Sequence, residues 1–291
     1  MAVRGTGVGM RKWIAAAALV GLTVVGCDDG TRDDLVVEGT PPATPYSGAL
    51  DVPVKETGDD GVRAAMESSG AAGRALECDG EIYLGGGGDR WSREDGGSTP
   101  EEGLNAYFDM DQPELPDHGY RVERREKDRV LFSYDVRGRT KVAVVVAKDQ
   151  PHRPGWGPET NASCDPSELP ASFTDSRYEI WTDRDGRRVP TTEVSSSAGA
   201  EHCDWESAHF LWLGQGKELR QYARDPHRVL GSEVLTAAYD QDARMPVGAR
   251  DTGYRFHDWE LWLTAGKSTA YIRTPDGVEA WPATKQQVGC K

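Results

Sequence analysis

Residues 130–149 read VLFSYDV-RG-RTKVAVVVAKD, two β-branched and aromatic runs separated by Arg137-Gly138. Strand formers on either side of a two-residue turn containing glycine predict an antiparallel hairpin. Working outward, YRVERREK (120–127) supplies a strand before it, and a further strand around 157–163 runs into Cys164. Upstream, Thr99-Pro100-Glu101-Glu102 combines an N-cap threonine, a proline at the first helical position and an acid at the third. That is a capping box, and it opens a helix reaching about Tyr107. EIYL (81–84) predicts a short strand, and the alanine-rich residues 61–77 predict a helix weakened by Gly70 and Gly73. GGGGDRWSREDGGS (85–98) predicts a mobile surface loop; without a following Gly-Lys-Ser/Thr it is no phosphate cradle. The order helix, strand, helix, antiparallel meander predicts an α+β module over 61–170, roll-like with a helix on the sheet.

After a Pro/Ser break the character is β throughout 171–291. Asp185-Gly186 marks a hairpin rather than a calcium loop, since Trp181 stands where an acidic ligand would be needed. LWLGQGKELRQYARDPHRVL (211–230) and LWLTAGKSTAYIRTPDGVE (261–279) match with one single-residue gap. The pairing sets Trp212, Tyr222 and Arg224 against Trp262, Tyr271 and Arg273, each copy reading strand, Gly-Lys turn, strand, turn, strand. Two copies predict a pair of packed β-meanders rather than a stacked array. In a strand, Trp212 and Trp262 point opposite to their flanking leucines. These six aromatic and arginine residues are the candidate binding face; the competing expectation buries both faces in a sandwich.

Asp204-Trp205-Glu206 and Asp258-Trp259-Glu260 form a second repeated element. Glu206 and Glu260 could act as a paired-carboxylate glycosidase centre, separated by about 5 Å for retention or about 6.5–9.5 Å for inversion. His202, Asp204, His257 and Asp258 could instead hold a divalent metal. The acidic stretch Asp109, Asp111, Glu114, Asp117, His118 reads as a solvated loop. No nucleophile elbow, zincin, P-loop or dinucleotide signature occurs, so no catalytic residue and no cofactor is assigned.

The N-terminus carries Arg4, Arg11 and Lys12 before the apolar run Ile14–Val25, the layout of a secretory signal peptide over residues 1–26. The run is short of the roughly 20 residues a membrane-spanning helix needs. Val24-Val25-Gly26-Cys27 resembles a bacterial lipobox, which implies cleavage before Cys27 and lipidation of it. Residues 27–60, rich in Asp, Gly, Pro and Thr, predict a flexible tether. Losing three cations and no acid with the signal peptide takes the formal net charge from −14 to −17. Such a body is repelled by nucleic acid and anionic headgroups, so the lipid must do the anchoring. The expected partners are the membrane, through the lipid, and a membrane protein or the cell wall.

Cys78, Cys164, Cys203 and Cys290 remain, an even number that predicts two disulfides in an exported chain. Sequential and nested pairings are entropically similar. Modularity favours Cys78–Cys164 around the first module and Cys203–Cys290 around the second. The segments ECDGEIY, STPEEGL, YRVERRE, RVLFSYDV, CDPSELP, HCDWESAHFL, YARDP and GVEAWP resemble a group of secreted actinobacterial lipoproteins. That resemblance implies secretion and lipidation and brings no activity. The expectation is a membrane-anchored, non-catalytic binding module, with a wall-directed hydrolase or a metal-binding lipoprotein as alternatives.

Overall fold

The structure, a computed structural model, describes residues 44–55, 62–87, 91–110, 117–174, 178–231 and 233–286. All of them belong to one compact unit, Leu35–Lys291. The signal peptide, Cys27, the first part of the tether, Asp111, Glu114 and Cys290 lie outside the described residues. None of the described helices is long and apolar enough to cross a membrane.

The first module contains α1 (Val62–Ser68), α2 (Gly70–Ala75), β1 (Ile82–Gly87), α3 (Pro100–Met110), β2 (Tyr120–Arg125), β3 (Arg129–Val136), β4 (Arg139–Gln150) and β5 (Arg153–Cys164). The strands form an antiparallel sheet in the order β1-β5-β4-β3-β2. Arg137 and Gly138 both have positive φ, 54° and 74°, and Val136 pairs with Arg139. That is the primed turn whose twist suits a hairpin. The sheet is covered on both faces, which explains the nearly continuous apolar runs of β3 and β4. Val130, Phe132, Val142, Val144 and Val146 pack under Leu104, Tyr107 and Phe108 of α3. Leu131, Ala143, Val145 and Ala162 pack under Leu50 and the alanines of α2. At the start of α3, Thr99 Oγ1 accepts from Glu102 N–H, while the Glu102 carboxylate reaches Ser98 instead of closing back on Thr99.

Two expectations change here. Gly85, Gly86 and Gly87 continue β1, paired with Ala162, Asn161 and Thr160, rather than opening a loop. A Cβ on Gly85 would stand 2.9 Å from the Ala65 carbonyl, so the missing side chain lets α1 approach the strand. Trp91, further on, is buried at 2 % exposure. The tether also ends earlier than composition suggests. Tyr46 N–H donates to Glu123 (2.6 Å), Leu50 N–H to Glu126 (3.2 Å) and Lys55 N–H to Glu67 O (2.9 Å). Leu50 is buried, so residues 44–55 are part of the body.

Beyond a short helix α4 (Ala171–Thr174) come β6 (Val194–Ala198), β7 (His209–Leu213) and β8 (Arg220–Arg224), one antiparallel sheet. β9 (Arg250–Phe256), β10 (Trp259–Leu263), β11 (Thr269–Thr274) and β12 (Gly277–Pro282) form another. The fold is thus α+β with a β-rich second part. Both sheets bury Trp181, Leu211, Tyr222, Leu261, Ile272 and Trp281 in one core. Single bridges tie their edges together. Tyr222 meets Ala283 just past β12, while Glu179 meets Ser196 of β6 and Thr182 meets Arg255 of β9. The seven strands therefore close into a barrel-like ring, leaving little free edge. No strand follows β8 over 226–231, so the first meander lacks the third strand expected of it.

Cys78 and Cys164 form a disulfide, and Cys203 is also disulfide-bonded. The two parts are joined at Asp165, next to Cys164 and only 3 % exposed. Its carboxylate accepts from Ser167 N–H (2.9 Å), Thr191 N–H (3.0 Å), Thr191 Oγ1 (2.8 Å) and Thr192 N–H (3.4 Å). Removing it strands several buried donors, each costing about 1–3 kcal/mol. Asp165→Ala is expected to lower the unfolding free energy by about 3 kcal/mol in urea denaturation. A loss below about 1 kcal/mol would show that the joint does not depend on this carboxylate.

Candidate binding face

On β10, Glu260 and Trp262 point away from the core that takes Leu261 and Leu263. Cross-strand pairing puts Tyr271 opposite Trp262 and Arg273 opposite Glu260. The Arg273 guanidinium lies 4.6 Å from the Trp262 ring centroid, a cation–π contact, and its Nη1 donates to Glu260 Oε2 at 3.3 Å. Trp262 Nε1 donates to the same carboxylate at 3.1 Å. Asp251 of β9 lies opposite Trp262 and is chelated by Arg255, with contacts of 2.9 and 2.8 Å. Arg184 adds a third cation at 3.0 Å from Asp251. The ring's outer face thus holds Trp262 and Tyr271, both half-buried, inside a ladder of alternating charges. Neither joins any hydrophobic cluster among the described residues.

The first copy does not build the same face. Leu211 pairs with Tyr222 and Trp212 with Gln221, so Tyr222 and Arg224 lie on the leucine side, opposite to Trp212. Tyr222 is buried in the ring, its hydroxyl donating to Lys267 O at 2.9 Å. Arg224 pairs with Glu279 at 2.9 Å. Trp212 packs with Phe210, Ala223, Leu230 and Leu235. The cause is register. The β7–β8 turn and the β10–β11 turn have the same length, Leu213 pairing with Arg220 and Leu263 with Ala270. Tyr222 therefore corresponds to Ile272, not to Tyr271, and the gap in the sequence match inverts the face by one residue.

The carboxylate and metal candidates do not converge on a site. Glu206 is exposed in the turn before β7, whereas Glu260 is held by Arg273 and Trp262 in the other sheet. His202 and Asp204 end an exposed 3-10 turn, and His257 and Asp258 form the exposed β9–β10 turn. Among the described residues, one group of three has metal-ligand proximity, Cys78, Cys164 and Glu168. Its two sulfurs are bonded to each other and cannot serve as thiolates. Asp117 and His118 are largely exposed.

The sequence reading missed Asp251, Arg255 and Arg184, which frame the face. TGYRF (252–256) alternates apolar and polar residues only weakly, so β9 passed unnoticed. A partnered His209 was missed too. Its Nε2 lies 2.8 Å from Glu179 Oε2, and its ring sits edge-on to Trp259 and Trp281. No protein-family model, no curated protein and no solved structure matches the chain.

The Arg255 guanidinium, aided by Gly253 N–H and Arg184, holds the Asp251 carboxyl well below the usual carboxylate range. A depressed folded pKa gives stability that is fully present above the unfolded value near 4 and is lost as pH falls below it. Asp251→Asn should therefore lower the urea midpoint at pH 6, with the difference shrinking toward pH 2. A difference that stays constant over this range would sever the link to ionisation.

Proposed function

We propose that this protein is an exported lipoprotein, anchored to the outer face of the membrane through Cys27. Its body acts as a non-catalytic binding module for a membrane-protein or cell-wall partner. What supports the binding reading is the half-exposed Trp262, stacked against Arg273 and beside Tyr271 on the outward face of β10 and β11. Interface centres favour aromatic residues and arginine, and here both lie on a sheet that fixes their spacing. The equal turn lengths and pairing registers of the two hairpins support a duplicated unit, of which one copy keeps the open face.

The anchor rests on the basic start, the apolar run and the lipobox, in keeping with the resemblance to actinobacterial lipoproteins. Tyr46 is fixed to the body through Glu123. The chain from Cys27 to Tyr46 spans no more than about 65 Å fully extended, so the body works close to the bilayer. Cys27→Ser is expected to move the protein from the membrane fraction to the medium. Continued membrane retention would refute lipid anchoring at this residue. Photo-cross-linking from position 271 in whole cells is expected to give one reproducible adduct, reduced at least tenfold by Trp262→Ala with an unchanged thermal melt. An adduct pattern indifferent to Trp262→Ala would sink the assignment of this face.

A further inference from the structure

At the end of the ring where both Gly-Lys turns lie, a cleft of about 570 Å³ opens between the ring and the first module. Barrel mouths and domain junctions are preferred ligand sites, and this volume lies within the usual range of about 300–1,000 Å³. Leu213, Leu263, Tyr222 and Tyr254 contribute an apolar lining from both sheets. The opposite wall is Gly80, Glu81, Asp165 and Glu168 of the first module.

The walls are held in place. Glu168 accepts Asp79 N–H at 2.8 Å and Gly80 N–H at 3.1 Å, and pairs with the buried Lys141 at 2.5 Å. Tyr254 donates to Glu193 at 3.1 Å, and Tyr222 pins the Lys267 carbonyl. Besides Asp165, Glu168 and Glu193, whose carboxylates already accept hydrogen bonds, the charged side chains of the cleft are Glu81, Glu218, Arg220 and Lys267. All four are exposed on the cleft's lining. None of these side chains makes a hydrogen bond or ion pair with another described residue. Two acids and two cations unpaired with one another, beside the acids already hydrogen-bonded, offer partners of both signs around an apolar floor to a ligand that carries both charges itself.

We propose that this cleft binds a short zwitterionic peptide. Its free ammonium end faces Glu81 and Glu218, its free carboxylate faces Arg220 and Lys267, and an apolar side chain rests on the Leu213/Leu263/Tyr254 floor. Capture of a peptide's terminal carboxylate or amine is an established recognition mode, and charge-assisted hydrogen bonds are stronger than neutral ones. The site shares none of its ligand contacts with Trp262, Tyr271 or Arg273, so it stands or falls apart from the outer face.

The test is titration calorimetry on the full lipidated chain in detergent, with the tripeptides Ala-Leu-Ala and Ala-Tyr-Ala. The free peptides should bind, and N-acetylation or C-amidation should each weaken binding at least tenfold. Glu81→Gln with Glu218→Gln should abolish the sensitivity to acetylation. Arg220→Gln with Lys267→Gln should abolish the sensitivity to amidation. Trp262→Ala should leave all of these affinities unchanged. The proposal is overturned if folded protein gives no heat with either free peptide at millimolar concentration. It is equally overturned if capped and free peptides bind alike, or if Trp262→Ala removes the binding. The capping comparison on the unmodified protein decides the matter even where a double variant misfolds.

Discussion

The Asp165 carboxylate joins a helix-covered sheet to a ring of strands through donors it takes from both. It follows Cys164, whose disulfide to Cys78 fixes the chain around residues 78–81 against β5. Three residues on, Glu168 gathers Asp79 N–H, Gly80 N–H and Lys141. One short stretch thus positions part of the first module, the 190–192 segment of the second and the cleft wall between them. A carboxylate is suited to this, because two oxygens can accept several donors in a dry place where each unpaired donor would be costly. Arg188, donating to Leu169 O and Thr174 Oγ1, reinforces the joint from the other side.

The ring depends on a second economy. Two small antiparallel sheets would each expose edge strands; bridges from residues 179–182 and 283–284 close the gaps instead. Trp181 lies on the closing segment and fills the core, its Nε1 donating to Ser196 Oγ at 2.9 Å. Ser196 Oγ donates in turn to Glu179, which also faces His209, so these polar groups satisfy one another. On the first module, Arg121, Glu123 and Asp135 form a buried ionic group that the 44–55 segment helps to cover.

The sheet of the first module was legible because its determinants are local. The Arg137-Gly138 turn and the apolar runs around it state their pairing within twenty residues. The glycines 85–87 and the segment 44–55 were misread because composition reports local preference while their fate is set at a distance. Gly85 is a strand residue because it pairs with Ala162, and Tyr46 is fixed by Glu123, 77 positions away. That Trp262 points away from its flanking leucines was legible from alternation; that it stays open while Trp212 is packed was not. Nor was its framing by Asp251 and Arg184, because those residues come from a weakly patterned strand and a distant turn.

The two LWL hairpins show how far a repeated motif can determine a surface. Leu211-Trp212-Leu213 and Leu261-Trp262-Leu263 turn their leucines inward and their tryptophans outward alike. Their surroundings diverge with the residues that follow the second strand. After β8, the buried Asp225 accepts Val229 N–H at 2.8 Å and Leu230 N–H at 3.1 Å. The chain folds back there, and Leu230 and Leu235 join the cluster that contains Trp212. After β11, Pro275-Asp276 makes a two-residue turn straight into β12. That path extends the sheet sideways and joins no hydrophobic cluster to Trp262. The first Trp becomes packing and the second a candidate contact, because one copy carries a capping aspartate where the other carries Pro-Asp-Gly. Exposure of a motif is therefore decided by where the next segment goes, and Asp225, outside the matched tryptophans, is the residue that decides it here.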